Sequence, residues 1–278
     1  MRACFFILLL LLGFASSPAQ AAERDPGTAL TFVLLREARL PEPLALRARL
    51  EKRLEGRLKI DGMELGEQGK EGVVLFRIAG GTALVGLIDA PLPAGQIDDL
   101  CAAAWFWKTA CADTAQHRAQ LVVSVVKSSL DRLDTSLLLT DLTAAAMDGD
   151  DNAIASYWMS ALRPRAMFLK ASAGASRATP PAWLWVDFRV SGGPQGLSMS
   201  TEGMTVYGLR EIELKDVKRP ASEILTLIVG TATYLVSAGP VIKDGDTIGD
   251  SPSLGIVVRH DKSYWREGQD VYRVVWTK

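Results

Sequence analysis

The run Leu121-Val-Val-Ser-Val-Val126 constrains the fold more than any other segment. A short apolar stretch dominated by valine reads as a strand buried inside a sheet. A helical pattern follows, Leu130 to Met147, with Leu130, Leu133, Leu137 and Leu138 on its core stripe and Ser129 placed to cap its free N–H groups. Further strand patterns lie at Phe32–Leu35, Trp183–Val190, Leu254–His260 and Val271–Trp276, and Val73–Ile78 with Ala83–Ile88 reads as a hairpin turned by glycines. Helical patterns cover Leu44–Lys59, Asp98–Trp107 and Pro220–Val236. The last has so little polar face that it is expected to lie buried between layers. Without regular βαβ alternation, these patterns predict an α+β fold. A mixed, mostly antiparallel and largely continuous sheet with packed helices would form one compact domain over 28–278. The small residues and paired prolines of Ala171–Ala182 mark a loop where two subdomains would divide.

The N-terminus reads as a signal peptide over 1–22. Arg2 precedes an apolar run from Phe5 to Phe14, and Ala19-Gln20-Ala21 supplies the small-x-small pattern for cleavage near Ala21 or Ala22. The run is shorter than the roughly 20 residues of a spanning helix. A periplasmic or secreted protein with no stable membrane span after cleavage is therefore expected. Without Arg2 the charges are 30 basic to 32 acidic. That balance argues against a nucleic-acid partner, which calls for a strong positive field.

Export bears on the cysteines. Cys101 and Cys111 would remain, and an oxidising compartment favours a disulfide between them over two buried thiols. One straight helix through both would hold their Cα atoms roughly 15 Å apart, so a bridge needs the helix to end and the chain to turn back. On Leu44–Lys59, Leu46, Leu50, Leu54 and Leu58 share one face, while Arg47, Arg49, Lys52, Arg53 and Arg57 lie elsewhere. Such a helix can lie on a membrane, but a solvated face laced by pairs such as Arg47–Glu51 and Glu55–Lys59 is the plainer reading.

Cofactor chemistry finds little support. The acidic stretches "KDGDTIGD" (Lys243–Asp250) and "MDGDD" (Met147–Asp151) lack the spacing of a calcium loop, above all its twelfth-position glutamate. Two histidines, His117 and His260, are too few for zinc, and no glycine-rich phosphate loop or nucleophile elbow is present. No metal and no cofactor are expected. Asp187, Asp244 and His260 are the only candidates for a carboxylate–His acid–base site. Trp183 and Trp185 would project from one side of a strand, where with Arg189 and Asp246 they could line a groove for a peptide or glycan. The competing reading has these tryptophans covering a second layer of helices.

The order "AAAWFW", "QHRAQLVVSVV", "WLWVDFRV", "GPVIKDGDTIGD" and "VVRHD" resembles the bacterial family catalogued as domain of unknown function 4261, over about Leu30 to Trp276. The resemblance implies one compact α+β domain and no particular activity. Two functional expectations stand. The first is a non-catalytic binding domain of the cell envelope, or of an interbacterial competition system, with a protein, peptide or glycan partner. The alternative is a periplasmic hydrolase or transferase using the carboxylate–His site. The first is preferred because no catalytic motif is assembled.

Overall fold

The computed structural model describes residues 26–66, 72–149, 151–158, 160–249 and 255–277. The leader expected over 1–22 lies outside them, as do Asp150 and Leu254. Strands β1 (Ala29–Leu35), β2 (Ile60–Leu65), β3 (Val73–Ile78), β4 (Gly81–Ile88), β5 (Ala119–Val126), β6 (Ala153–Trp158) and β7 (Ala161–Pro164) form one antiparallel sheet in the order β2-β3-β4-β5-β1-β6-β7. A second sheet holds β8 (Asp187–Gly193), β9 (Gly196–Glu202), β10 (Glu211–Val217), β11 (Ile256–Lys262) and β12 (Asp270–Trp276), in the order β11-β12-β10-β9-β8. Among the described strands, only β10 and β12 pair in parallel. The fold is α+β and mostly antiparallel, but its strands divide between two sheets rather than one. The chain leaves the first sheet after β7 and enters the second at β8, so the small-residue segment 171–182 falls on this crossing.

β5 is buried along seven of its eight residues and pairs with β1 and β4. Alternate residues of β1 serve two cores: Val33 and Leu35 face the larger, Phe32 and Leu34 the smaller. The 73–88 hairpin turns through Ala79 and Gly80 at positive φ.

Seven α-helices occur among the described residues: α1 (Pro43–Leu54), α2 (Asp98–Ala103), α3 (Ala110–Thr114), α4 (Arg132–Met147), α5 (Arg165–Ser172), α6 (Ala182–Trp185) and α7 (Ala221–Ala238). The helix enclosed between layers is α4, not α7. It is buried along nearly its whole length. Its hydroxyls bond back along the helix, Thr140 Oγ1 to Ser136 O at 2.8 Å and Thr143 Oγ1 to Leu139 O at 2.6 Å. Those bonds remove the cost of burying Thr and Ser, a saving that hydropathy does not register. By contrast α7 buries Ile224, Ile228, Ala232 and Leu235 and leaves its other side open, with Tyr234 54% exposed. It is also a described helix long and apolar enough to cross a membrane.

Helix boundaries shift for local reasons. α1 stops at Leu54, short of Lys59, because Glu55 and Gly56 adopt left-handed φ. The Arg47–Glu51 pair forms at 2.9 Å, but the remaining basic side is not simply solvated. Arg57 and Arg53 reach the buried carboxylate of Asp141 on α4, and Arg49 donates to Ala145 O. α4 begins at Arg132, capped by Asp131, which accepts from Asp134 N at 2.9 Å. Ser129 donates instead to Ala79 O. The strand expected from Trp183 is preceded by the one-turn α6, which Pro180 and Pro181 initiate.

Candidate ligand cleft between the two sheets

The crossing between sheets is organised by Arg163 on β7, 1% exposed. Its guanidinium donates to Trp183 O at 2.6 Å, Leu162 O at 2.9 Å and Val186 O at 2.7 Å. Phe106 and Trp183 present their rings to it at 4.9 and 4.8 Å. Burial lowers its pKa to about 10, against the opposing pull of Asp187. Asp187 lies 3.7 Å from Arg163 and 3.3 Å from Arg189, and burial raises its carboxyl above the usual range. Arg189 continues to Glu202 at 2.9 Å, and Glu202 also holds Arg266 at 3.0 Å. An alternating ladder of charge thus runs from the interior to the protein surface.

Its outer end borders a cleft of about 960 Å³ between the sheets. Tyr157 and Trp158 of β6, Trp185 of α6 and Tyr207 line its aromatic part, while Arg132, Ser160, Glu202, Thr205 and Arg266 supply polar groups. Trp158, Trp185 and Tyr207 stack in series at 6.0 and 5.6 Å. Trp185 also donates its indole N–H to Thr140 at 2.8 Å. Behind this wall, Glu211 accepts from Thr201 Oγ1 at 2.6 Å and Gly203 N at 2.9 Å. Burial raises its pKa, and the bonds it accepts oppose that rise.

A lobe containing α2 and α3 closes one side. Cys101 and Cys111 form a disulfide with Cα atoms 4.9 Å apart. The helix ends at Ala103 and the chain turns back, the condition geometry requires. α2 contributes Asp99 and Leu100 to the cleft, and Trp105 donates to Phe188 O at 3.0 Å.

Of the residues singled out in the sequence, Trp185 and Arg189 meet at the cleft. Trp183 instead packs between Trp105, Phe106 and Phe188, at centroid distances of 5.9, 5.3 and 5.2 Å. Both Trp183 and Trp185 lie on a helical turn, so they do not share a strand face, and Trp185 is only 1% exposed. Asp246 lines a separate hollow of about 1010 Å³ between α7 and the segment Val241–Gly249.

Asp187 and His260 are not brought together. They occupy β8 and β11, the opposite edges of the five-stranded sheet, four strand spacings or roughly 19 Å apart. Asp244 meets His260 only through the backbone, accepting the His260 N–H at 2.9 Å. The imidazole instead lies 3.0 Å from Ile242 O and packs edge-on against Tyr272. Among the described residues, no cluster of three or more His, Cys, Asp or Glu could hold a metal.

Sequence reasoning missed β6, β9 and β10, and with them Tyr157, Trp158, Glu202 and Glu211. The alternation in "LSMSTE" and "EIELKDV" was the available signal. Comparison with curated proteins and with solved structures finds no match. The family model described as a domain of unknown function (DUF4261) matches residues 200–275. That span includes the "KDGDTIGD" and "VVRHD" segments, while "WVDFR" precedes it. The likeness to this family of domains of unknown function thus lies in the C-terminal part of the chain, from within β9 to the end of β12.

Proposed function

We propose that this chain is an exported, non-catalytic binding domain whose ligand enters the cleft between the two sheets. The observation that supports it is convergence: β6, α4, α6, β9 and the β11–β12 loop all send side chains to one cavity of about 960 Å³. A cavity of that size with a few placed polar groups is the ordinary form of a ligand site. The polar set mixes arginines with carboxylates, which suits a peptide or glycan better than a simple ion. The binding reading is preferred to a carboxylate–His reaction because Asp187 and His260 lie on opposite sheet edges and the Asp244 carboxylate is engaged by the His260 backbone N–H.

Thr205 is exposed and lines the cleft, so Thr205→Trp is expected to fill the cavity from its solvent side. Tagged wild-type protein passed over envelope extract, including its soluble glycan and peptide fractions, should retain a stoichiometric ligand identifiable by mass spectrometry. Thr205→Trp should lose it. Equal retention by both proteins would reject the cleft as the binding site.

A further inference from the structure

A second recess adjoins the cleft on the polar face of the five-stranded sheet. It encloses about 290 Å³ and is lined by Arg189, Ser191, Ser200, Glu213, Trp265 and Arg266, among others. Arg189 and Arg266 line both spaces, so the Arg189–Glu202–Arg266 bridge is their common wall.

Trp265 differs from the tryptophans at the sheet crossing. Trp105, Trp107, Trp183 and Trp185 each donate their indole N–H within the protein. Among the described residues Trp158, Trp265 and Trp276 make no such bond, and of these Trp265 is the most exposed, at 48%. Its frame is nevertheless rigid. Glu213, 2% exposed, accepts from Ser263 Oγ at 2.5 Å and Tyr264 N at 2.8 Å. Ser263 Oγ in turn accepts from Trp265 N and Arg266 N at 3.0 and 2.9 Å. Tyr264 is fixed beneath Arg273 at 4.0 Å, leaving Trp265 edge-on to it at 5.6 Å. A buried carboxylate is committed to holding a loop whose tip presents an indole to solvent. Such preorganisation lowers the cost of binding on that ring.

We propose that this recess is a saccharide subsite of the cleft, with Trp265 stacking on the apolar face of a neutral pyranose. The reading rests on the cleft being a binding site and names the chemistry of its ligand. Charge selects the class. Arg189 and Arg266 both pair with Glu202, and Glu213 lines the same recess, so two positive and two negative charges balance and neither an anion nor a cation is favoured. What remains is a balanced array of guanidinium donors, carboxylate acceptors and the hydroxyls of Ser191 and Ser200. A pyranose matches it, with one C–H face for the indole and a rim of hydroxyls that both donate and accept. A peptide would instead expose an amide backbone seeking a strand edge.

The test is a glycan array probed with the folded, tagged protein, followed by fluorescence titration with the oligosaccharides it retains. Neutral saccharides should be bound, and Trp265→Ala should weaken them about tenfold or more, as expected for truncating a central aromatic contact. Trp265→Phe should recover most of that loss. A blank array, binding confined to acidic glycans, or binding unchanged in Trp265→Ala overturns the proposal. An extract ligand lost in Thr205→Trp but indifferent to Trp265→Ala would leave the cleft standing and remove the saccharide subsite alone. A ligand indifferent to both would remove both.

Discussion

Arg163, at the edge of the seven-stranded sheet, places its guanidinium 3.7 Å from the carboxylate of Asp187, where the five-stranded sheet begins. The pair is buried, and Arg163 also satisfies three backbone carbonyls between Leu162 and Val186. One side chain thus joins the two sheets and pairs three carbonyls of the crossing.

Removing that side chain should be costly. Arg163→Met leaves the carbonyls unpaired and Asp187 with Arg189 alone, and a loss of about 3–5 kcal/mol is expected. Arg163→Lys keeps the charge but cannot reproduce the fork, so it should recover less than half of the loss. Urea unfolding of both, with Asp187→Asn and the double variant, measures the coupling. Additive effects of Arg163→Met and Asp187→Asn would show that the two side chains do not act as a pair.

The disulfide holds the lobe that supplies Asp99 and Leu100 to the cleft. Opening it should cost about 3 kcal/mol on the loop-entropy account of a short ring. Cys111 is exposed, so a mild reductant can reach it. Thermal melts with and without dithiothreitol, compared with the Cys101→Ser/Cys111→Ser variant, should agree. A melting temperature insensitive to reductant would show that packing of Trp105, Phe106 and Trp107 holds the lobe unaided.

Much of the α+β architecture was legible because burial leaves a period in the sequence. β5, the β3–β4 hairpin and the closing strands each carry their pattern within a few residues. The Cys101–Cys111 bridge was legible through the oxidising compartment that export implies, and it forms because the helix from Asp98 ends at Ala103. The division into two sheets was not, because strand partners are chosen by contacts remote in sequence, such as Phe32 with Tyr157. The site suffered most. Trp183 and Trp185 read as alternating strand residues, and only the turn started by Pro180-Pro181 sends one to the Arg163 stack and the other beneath the cleft. Trp265, which no periodicity marks, is made conspicuous only by its exposure and by the Ser263–Glu213 bond that holds its loop.

Glu211 gives a pH dependence of definite sign. Burial raises its folded pKa above the ordinary 4.5. The folded state then holds this proton more tightly than the unfolded state, so its contribution is fully present below the unfolded value. It is lost as pH rises from about 4.5 through the folded value. Glu211→Gln keeps an oxygen for Gly203 N and removes the titration. Urea unfolding across that window should show wild-type stability declining relative to the variant as pH rises. Parallel profiles would mean that Glu211 does not titrate there.

The cap of α4 separates two neighbouring residues. Asp131 bonds Asp134 N and also pairs with Arg177 at 2.8 Å, whereas Ser129 makes an exposed bond to Ala79 O. Asp131→Ala should cost about 1 kcal/mol or slightly more, the usual range for a lost cap. Ser129→Ala should cost no more than about half of that. Equal losses in chemical unfolding would place the cap back at Ser129.

Lys243–Gly249 of the "KDGDTIGD" segment lies along the outer edge of β11, with Gly245 N donating to Val258 O and Val258 N to Asp246 O, both at 2.8 Å. The turn that begins it needs Gly245 at φ 88°, and Asp246 accepts Lys243 N at 2.7 Å. Asp244 is engaged by His260 N and stands 3.5 Å from Arg259. Gly245→Ala should therefore destabilise the protein by about 1–2 kcal/mol, chiefly through left-handed backbone strain. Gly245→Asn should cost less, because asparagine tolerates that region. A calcium ion would have to break backbone bonds already made by both aspartates, so millimolar calcium should leave the melting temperature unchanged. An upward shift with calcium, abolished by Asp246→Asn, would instead make this edge-covering turn a cation site.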